Sequence, residues 1–118
     1  MRKVFGLAAL IAALAVPATV VAADLQNAKG TTSCDGISTW HFVNNQTGGA
    51  SAGSISVEFS GGLTLTAGAS SVNKNMQHFF VQTTGVATLL DAHTNLPGNL
   101  VLSGPVTCDD GKGKGGGK

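Results

Sequence analysis

The sequence predicts an all-β protein, a small antiparallel β-sandwich of immunoglobulin-like or transthyretin-like type, preceded by a helical signal peptide. Three observations carry this reading. Short runs of alternating apolar and polar residues recur between residues 37 and 108, with turn signals roughly every eight to twelve residues, the spacing expected of a sandwich. Helix signals are nearly absent beyond the first two dozen residues. A cysteine stands near each end of the patterned region, Cys34 and Cys108. A small closed barrel is the main structural alternative. The span between the cysteines is short for a full sandwich, so one edge is expected to be incomplete.

The chain opens MRKVFGLAALIAALAVPATVVAAD. Arg2 and Lys3 make a short positive region, an apolar run follows to Val16, Pro17 breaks it, and small residues offer cleavage after Ala22 or Ala23. This is the layout of a secretory signal peptide. As a membrane anchor, the run before Pro17 falls short of the roughly 20 residues needed to span a bilayer. No cysteine stands at the processing region to take a lipid. The expected organisation is a signal peptide at 1–23, a flexible polar arm at 24–33, a disulfide-closed sandwich at 34–108 and a disordered Gly/Lys tail at 109–118. The expected location is secreted, extracellular or associated with the cell envelope, with no membrane span after cleavage.

The formal charge of the whole chain is +1, but two of its seven basic residues lie in the leader. Beyond it, five lysines face six carboxylates, a net charge of −1 with histidine neutral. No strong positive field remains to attract nucleic acid. Two cysteines in an exported chain read as a disulfide. It would close a loop of about 75 residues and, by chain entropy, add about 4 kcal/mol of stability. Free thiols or an intermolecular bridge are the alternatives. No CxxC or CxH spacing supports a metal site at the cysteines.

The strands follow in order. Residues 37–43 alternate, with Trp40 and Phe42 on one face and Thr39 and His41 on the other. Aromatic and β-branched residues suit a half-buried strand. Residues 44–53 read as a loop. In residues 54–60, Ile55, Val57 and Phe59 point inward between Ser56 and Glu58. Gly61 and Gly62 signal a hairpin, and Leu63 and Leu65 continue the pattern. Residues 68–75 are a polar connection. Residues 76–83 bring Phe79 and Val81 to one face, His78 and Phe80 to the other. Thr84 and Gly85 mark a second turn, and a strand is expected over 86–92. A loop at 93–99 precedes a last strand marked by Leu100 and Leu102. The predicted core is therefore Trp40, Phe42, Ile55, Val57, Phe59, Phe79, Val81, Leu100 and Leu102, in six or seven strands.

Chemistry-bearing motifs are sparse. His41 and His78 fall in predicted strands and can face each other across a sheet, with His93 in a loop. A zinc or copper site would need three or four converging donors, and no HxH or HExxH fixes that geometry. No metal or other cofactor is therefore assigned, and His41, His78 and His93 stand as the alternative ligand set. A Ser-His-Asp triad exists only as an inventory of serines, histidines and Asp35 or Asp91, without a GxSxG elbow. Glu58 is the sole glutamate, which weakens a paired-carboxylate glycosidase. Gly48-Gly49 and Gly61-Gly62 lack the lysine and the strand–helix setting of a phosphate loop. With no tyrosine and Trp40 expected in the core, a lectin reading is weak.

The order of Cys34, Trp40-His41-Phe42-Val43, Ile55-x-Val57-x-Phe59, His78-Phe79-x-Val81, Leu100-x-Leu102-Ser103 and Cys108 resembles an uncharacterised domain of secreted bacterial proteins. The resemblance covers most of residues 34–108. It implies export and an immunoglobulin-like or prealbumin-like sandwich, and it carries no catalytic residue. The function expected is a secreted, non-enzymatic interaction or structural module. Its partner would be an extracellular protein, a surface polymer, or a second copy met through uncharged strand edges. The alternative is a small-ligand or metal-binding module using the histidines.

Overall fold

The computed structural model describes residues 22–109. The helix expected in the leader and residues 110–118 of the tail expected at 109–118 lie outside the described residues, while Asp109, the first residue expected of that tail, ends a strand. Within them are eight strands: β1 (Ile37–Asn45), β2 (Ser54–Phe59), β3 (Leu63–Gly68), β4 (Ser71–Val72), β5 (Met76–Thr84), β6 (Leu89–Thr94), β7 (Asn99–Leu102) and β8 (Thr107–Asp109). One sheet runs β4-β5-β1-β7, with β8 following β7 along the same flank of β1; the other runs β3-β2-β6. Every pairing of these strands is antiparallel. The two sheets form a small antiparallel sandwich.

Alternation in β1, β2, β5 and β7 turns one face of each strand inward. Trp40, Phe42, Ile55, Val57, Phe59, Phe79, Val81, Leu100 and Leu102 lie in one buried cluster. Trp40 packs against Phe59 of the opposite sheet with ring centroids 4.9 Å apart. Its indole N–H donates to Thr83 Oγ1 at 3.0 Å, which satisfies a donor that burial would otherwise strand. Leu25, Ala87, Leu89, Ala92 and Leu96 join the same core. The pattern hides Leu89 because neither face of its run is clearly polar.

Three boundaries differ from the sequence reading. The sixth strand runs over Leu89–Thr94, so His93 is in a strand and not in a loop. The connection at 68–75 contains β4. Gly85 opens a crossing from one sheet to the other, since β5 and β6 are in different sheets. The β2–β3 hairpin does close through a 3-10 turn at Ser60–Gly62, where Gly61 sits at φ 78°, a conformation costly for any residue with a β-carbon.

Residues 24–33 are not a flexible lead-in. Leu25 N–H donates to Ala92 O and Gln26 N–H to Leu100 O, each at 2.9 Å, while Gly30 N–H donates to Leu89 O at 2.8 Å. The Asn27 side chain accepts from Leu102 N–H at 2.8 Å and donates to Leu102 O at 3.3 Å. The segment thus lies along β6 of one sheet and β7 of the other, and Leu25 is buried between them. Composition suggested disorder because a single leucine in a polar run gives no period. The backbone bonds and that one leucine are nonetheless enough to seat it.

Cys34 and Cys108 form a disulfide with Cα atoms 5.8 Å apart, across a sequence separation of 74. Cys108 is registered opposite Ser38, whose Oγ accepts from Cys34 N–H at 2.9 Å. The bridge therefore ties the start of β1 to the end of the chain's last strand. At the opposite end, buried polar side chains hold the loops. Asn44 accepts from Thr94 Oγ1 at 2.6 Å and donates to Pro97 O at 2.8 Å. Gln77 accepts from Gly53 N–H and donates to Ala50 O and Ser51 O. Gly98, at φ 108°, passes where a β-carbon would strike the Asn45 carbonyl.

Leu25→Ala is expected to cost about 2–5 kcal/mol in urea unfolding, the range for a truncated core leucine; an arm that stays mobile would give no change. Reducing the disulfide, or making the paired Cys34→Ser, Cys108→Ser variant, is expected to lower stability by up to about 4 kcal/mol. Scanning calorimetry reads that as a fall in Tm of about 4–8 °C per kcal/mol for a domain of this size.

Candidate functional site

The side chains that β1 and β5 turn away from the core make a mixed polar and apolar face. Register sets His41 opposite Phe80 and Val43 opposite His78. His78 therefore reaches His41 along the diagonal, a distance long side chains can bridge on an antiparallel pair. His41 Nε2 and His78 Nδ1 are 2.9 Å apart, and their ring planes differ by 18°. His41 also stacks on Phe80, with centroids 4.4 Å apart and planes 10° apart. Phe80 is 46% exposed.

The close approach of two ring nitrogens requires one proton between them. With both rings neutral, one imidazole donates and the other accepts. With both protonated, two N–H groups face each other and the bond is lost. The His41 pKa accordingly lies below the ordinary 6.5, first because burial disfavours its charged form and second because of repulsion from His78. Since the folded state binds this proton less readily than the unfolded chain, the contribution of neutral His41 to stability is present above pH 6.5. It is lost as pH falls through the lowered value.

The three histidines do not converge. His93 is in β6 of the other sheet, registered opposite Ser56 and bridged to Asp24. Among the described residues, no group of three or more His, Cys, Asp or Glu side chains gathers. His41 is engaged with His78, and the Asp91 carboxylate pairs with Lys29 at 3.4 Å. The Ser-His-Asp inventory is not assembled around either. Thr47 is buried with its Oγ1 unpartnered, two residues beyond the end of β1.

Beside Phe80, a groove of about 470 Å³ is lined by Thr39, Leu65, Thr66, Phe80, Val81 and Gln82. It follows the flank of β5 where that strand has no neighbour: β4 pairs only with Gln77 and His78. Across the groove stands β3, the edge of the second sheet. The β3 sequence, LTLTAG, carries no charge. The side of the sandwich opposite residues 23–33 is thus left open, with two strand edges and a stacked Phe–His–His row at its margin. Sequence alternation placed His78 and Phe80 on one face, but the missing half of a neighbour for β5 had no signature.

No protein-family model matches the chain, and no curated protein or solved structure matches it either. The class that the fold defines is a small, disulfide-closed antiparallel β-sandwich. Of the resemblance to exported bacterial domains, the two-sheet antiparallel fold is the part that the structure bears out.

NMR titration of the His41 ring protons is expected to give a pKa below 6.5. In His78→Asn the value should rise, because one of its two causes is removed; an unchanged value would show that burial alone sets it. Calorimetric titration with zinc and with copper is expected to show no tight binding, since two imidazoles fall short of the three or four donors such sites use.

Proposed function

We propose that the chain is an exported, non-enzymatic β-sandwich that acts as an extracellular or cell-surface interaction module, with the open side as its working surface. The observation that carries this reading is the unequal treatment of the two sides. Residues 23–33 cover the edges of β6 and β7 with main-chain bonds and with the Asn27 amide. Among the described residues, the edges of β3 and of β5 beyond His78 have no such cover. Uncovered edges offer N–H and C=O groups to an incoming strand, and exposed apolar groups beside them mark a contact surface. A protein or polymer outside the cell is the partner class that fits an exported domain of this kind. The low net charge beyond the leader gives no support to nucleic acid.

Strand order supports the immunoglobulin-like form of the sandwich over the prealbumin-like one. Lettered B, C, C′, D, E and F, strands β1 to β6 reproduce the D-E-B and C′-C-F neighbours of an immunoglobulin domain. The terminal segments exchange places: the first lies beside F, where G would be, and the last beside B, where A would be. Among the described residues, no helix is long and apolar enough to cross a membrane.

Export is supported by the leader and by the disulfide, a bond that persists in oxidising compartments. Ala23 favours one of the two cleavage positions. It is buried, its N–H donates to Leu96 O at 2.9 Å, and its carbonyl accepts from Thr94 N–H at 3.0 Å. Cleavage after Ala22 leaves an amine that still donates to Leu96; cleavage after Ala23 removes both bonds. Intact-mass measurement on culture fractions is expected to find an oxidised chain beginning at Ala23, outside the cytoplasm. An uncleaved chain in the cytoplasm with both thiols free would overturn the exported module.

A further inference from the structure

We infer that the partner at the open side is a second copy of this chain, joined by antiparallel pairing of β3 with β3 across a two-fold axis. The inference rests on the reading of the open side as the working surface. Three features of that side suit self-association. First, β3 (Leu63–Gly68) is an edge strand of six residues, paired only to β2 among the named strands. Every second residue of such a strand turns its N–H and C=O outward. Its backbone runs without proline and in register with β2 over its whole length, so the edge has none of the interruptions that prevent strand addition.

Second, the edge is compatible with its own copy. A two-fold contact places each surface against itself, so any charge on β3 would meet the same charge. LTLTAG has none. Thr64 and Thr66 face outward and can meet threonines of the partner, a favourable cross-strand pair. Glu58 and Asp91 are one and two strands further in, on β2 and β6, away from the axis.

Third, half of the large exposed hydrophobic residues lie here. Six large hydrophobic residues are exposed among the described residues, and Leu63 (40%), Val72 (45%) and Phe80 (46%) lie on β3, β4 and β5, the strands that border the open side. Joining two copies through β3 makes one continuous sheet from two three-stranded ones. It also sets the β4–β5 margins of the other sheets toward each other, over the groove between Leu65 and Phe80. Self-pairing thus covers main-chain groups and apolar side chains that the monomer leaves to water.

The test uses the mature, disulfide-bonded protein in sedimentation velocity from about 1 µM to about 1 mM, the span in which a modest edge contact dissociates. The expected result is a monomer–dimer equilibrium, with amide exchange slowed at residues 63–68 in the dimer and unchanged at residues 99–102. Thr66→Lys, an exposed edge substitution that puts two lysines together at the axis, should weaken dimerisation at least tenfold while leaving Tm unchanged. Thr32→Lys, on the closed side, should leave dimerisation as it is. A monomer throughout the range, or a dimer insensitive to Thr66→Lys and protected elsewhere, overturns the inference. Neither outcome touches the interaction reading, which instead fails if the exported chain neither self-associates nor is retained by envelope polymer or extracellular protein in solution-binding assays.

Discussion

Backbone hydrogen bonds at the sheet margins are the constraint on which this fold depends. A two-sheet sandwich this small exposes a large share of its strands as edges, and each edge carries donors and acceptors that must be satisfied. Residues 23–33 answer that demand for two strands at once. They run beside β6, cross to β7, and use the Asn27 amide as a substitute for a strand where the backbone does not reach. Leu25 enters the core at the crossing. The two sheets are therefore joined by chain on one side and by side-chain packing, Trp40 on Phe59 foremost, through the middle. The Cys34–Cys108 bond secures the end of the sandwich where the arm gives way to β1.

Among the described residues the opposite side has no equivalent segment, and the chemistry of the surface follows from this. β1 lies inside its sheet between β5 and the β7–β8 flank, so its outward residues are surrounded by neighbours on both sides. His41 is accordingly desolvated enough to disfavour its charge. β4 pairs with β5 only at Gln77 and His78, and Phe80, beyond that pairing, stays exposed while stacked on His41. The row of rings His78, His41 and Phe80 ends at the groove.

Polar groups buried at the far end have a different role. Asn44, Gln77 and Thr94 use their side chains to satisfy loop backbone that could not otherwise enter the interior, since an unpaired buried group costs about 1–3 kcal/mol. Their bonding partners are loop carbonyls, loop amides and one another, which identifies these three side chains as structural. Among the described residues, the Phe–His–His row and the groove lie on the outer face and edge of the sandwich.

Much of this was legible in the residues. Period-two alternation identified the inward faces of β1, β2, β5 and β7, because a strand must send alternate side chains to opposite faces, and the flanking cysteines identified their own partner. His41 and His78 were legible as neighbours for the same reason. Three features were decided only by tertiary structure. The seating of residues 23–33 depends on main-chain groups, which every sequence possesses alike. The separation of His93 from the other two histidines depends on which strands share a sheet, and alternation does not encode strand order. The open side exists because β4 is two residues long and, among the described residues, none follows it along β5. A missing neighbour is a property of the assembled sheet, so no residue in the sequence could announce it.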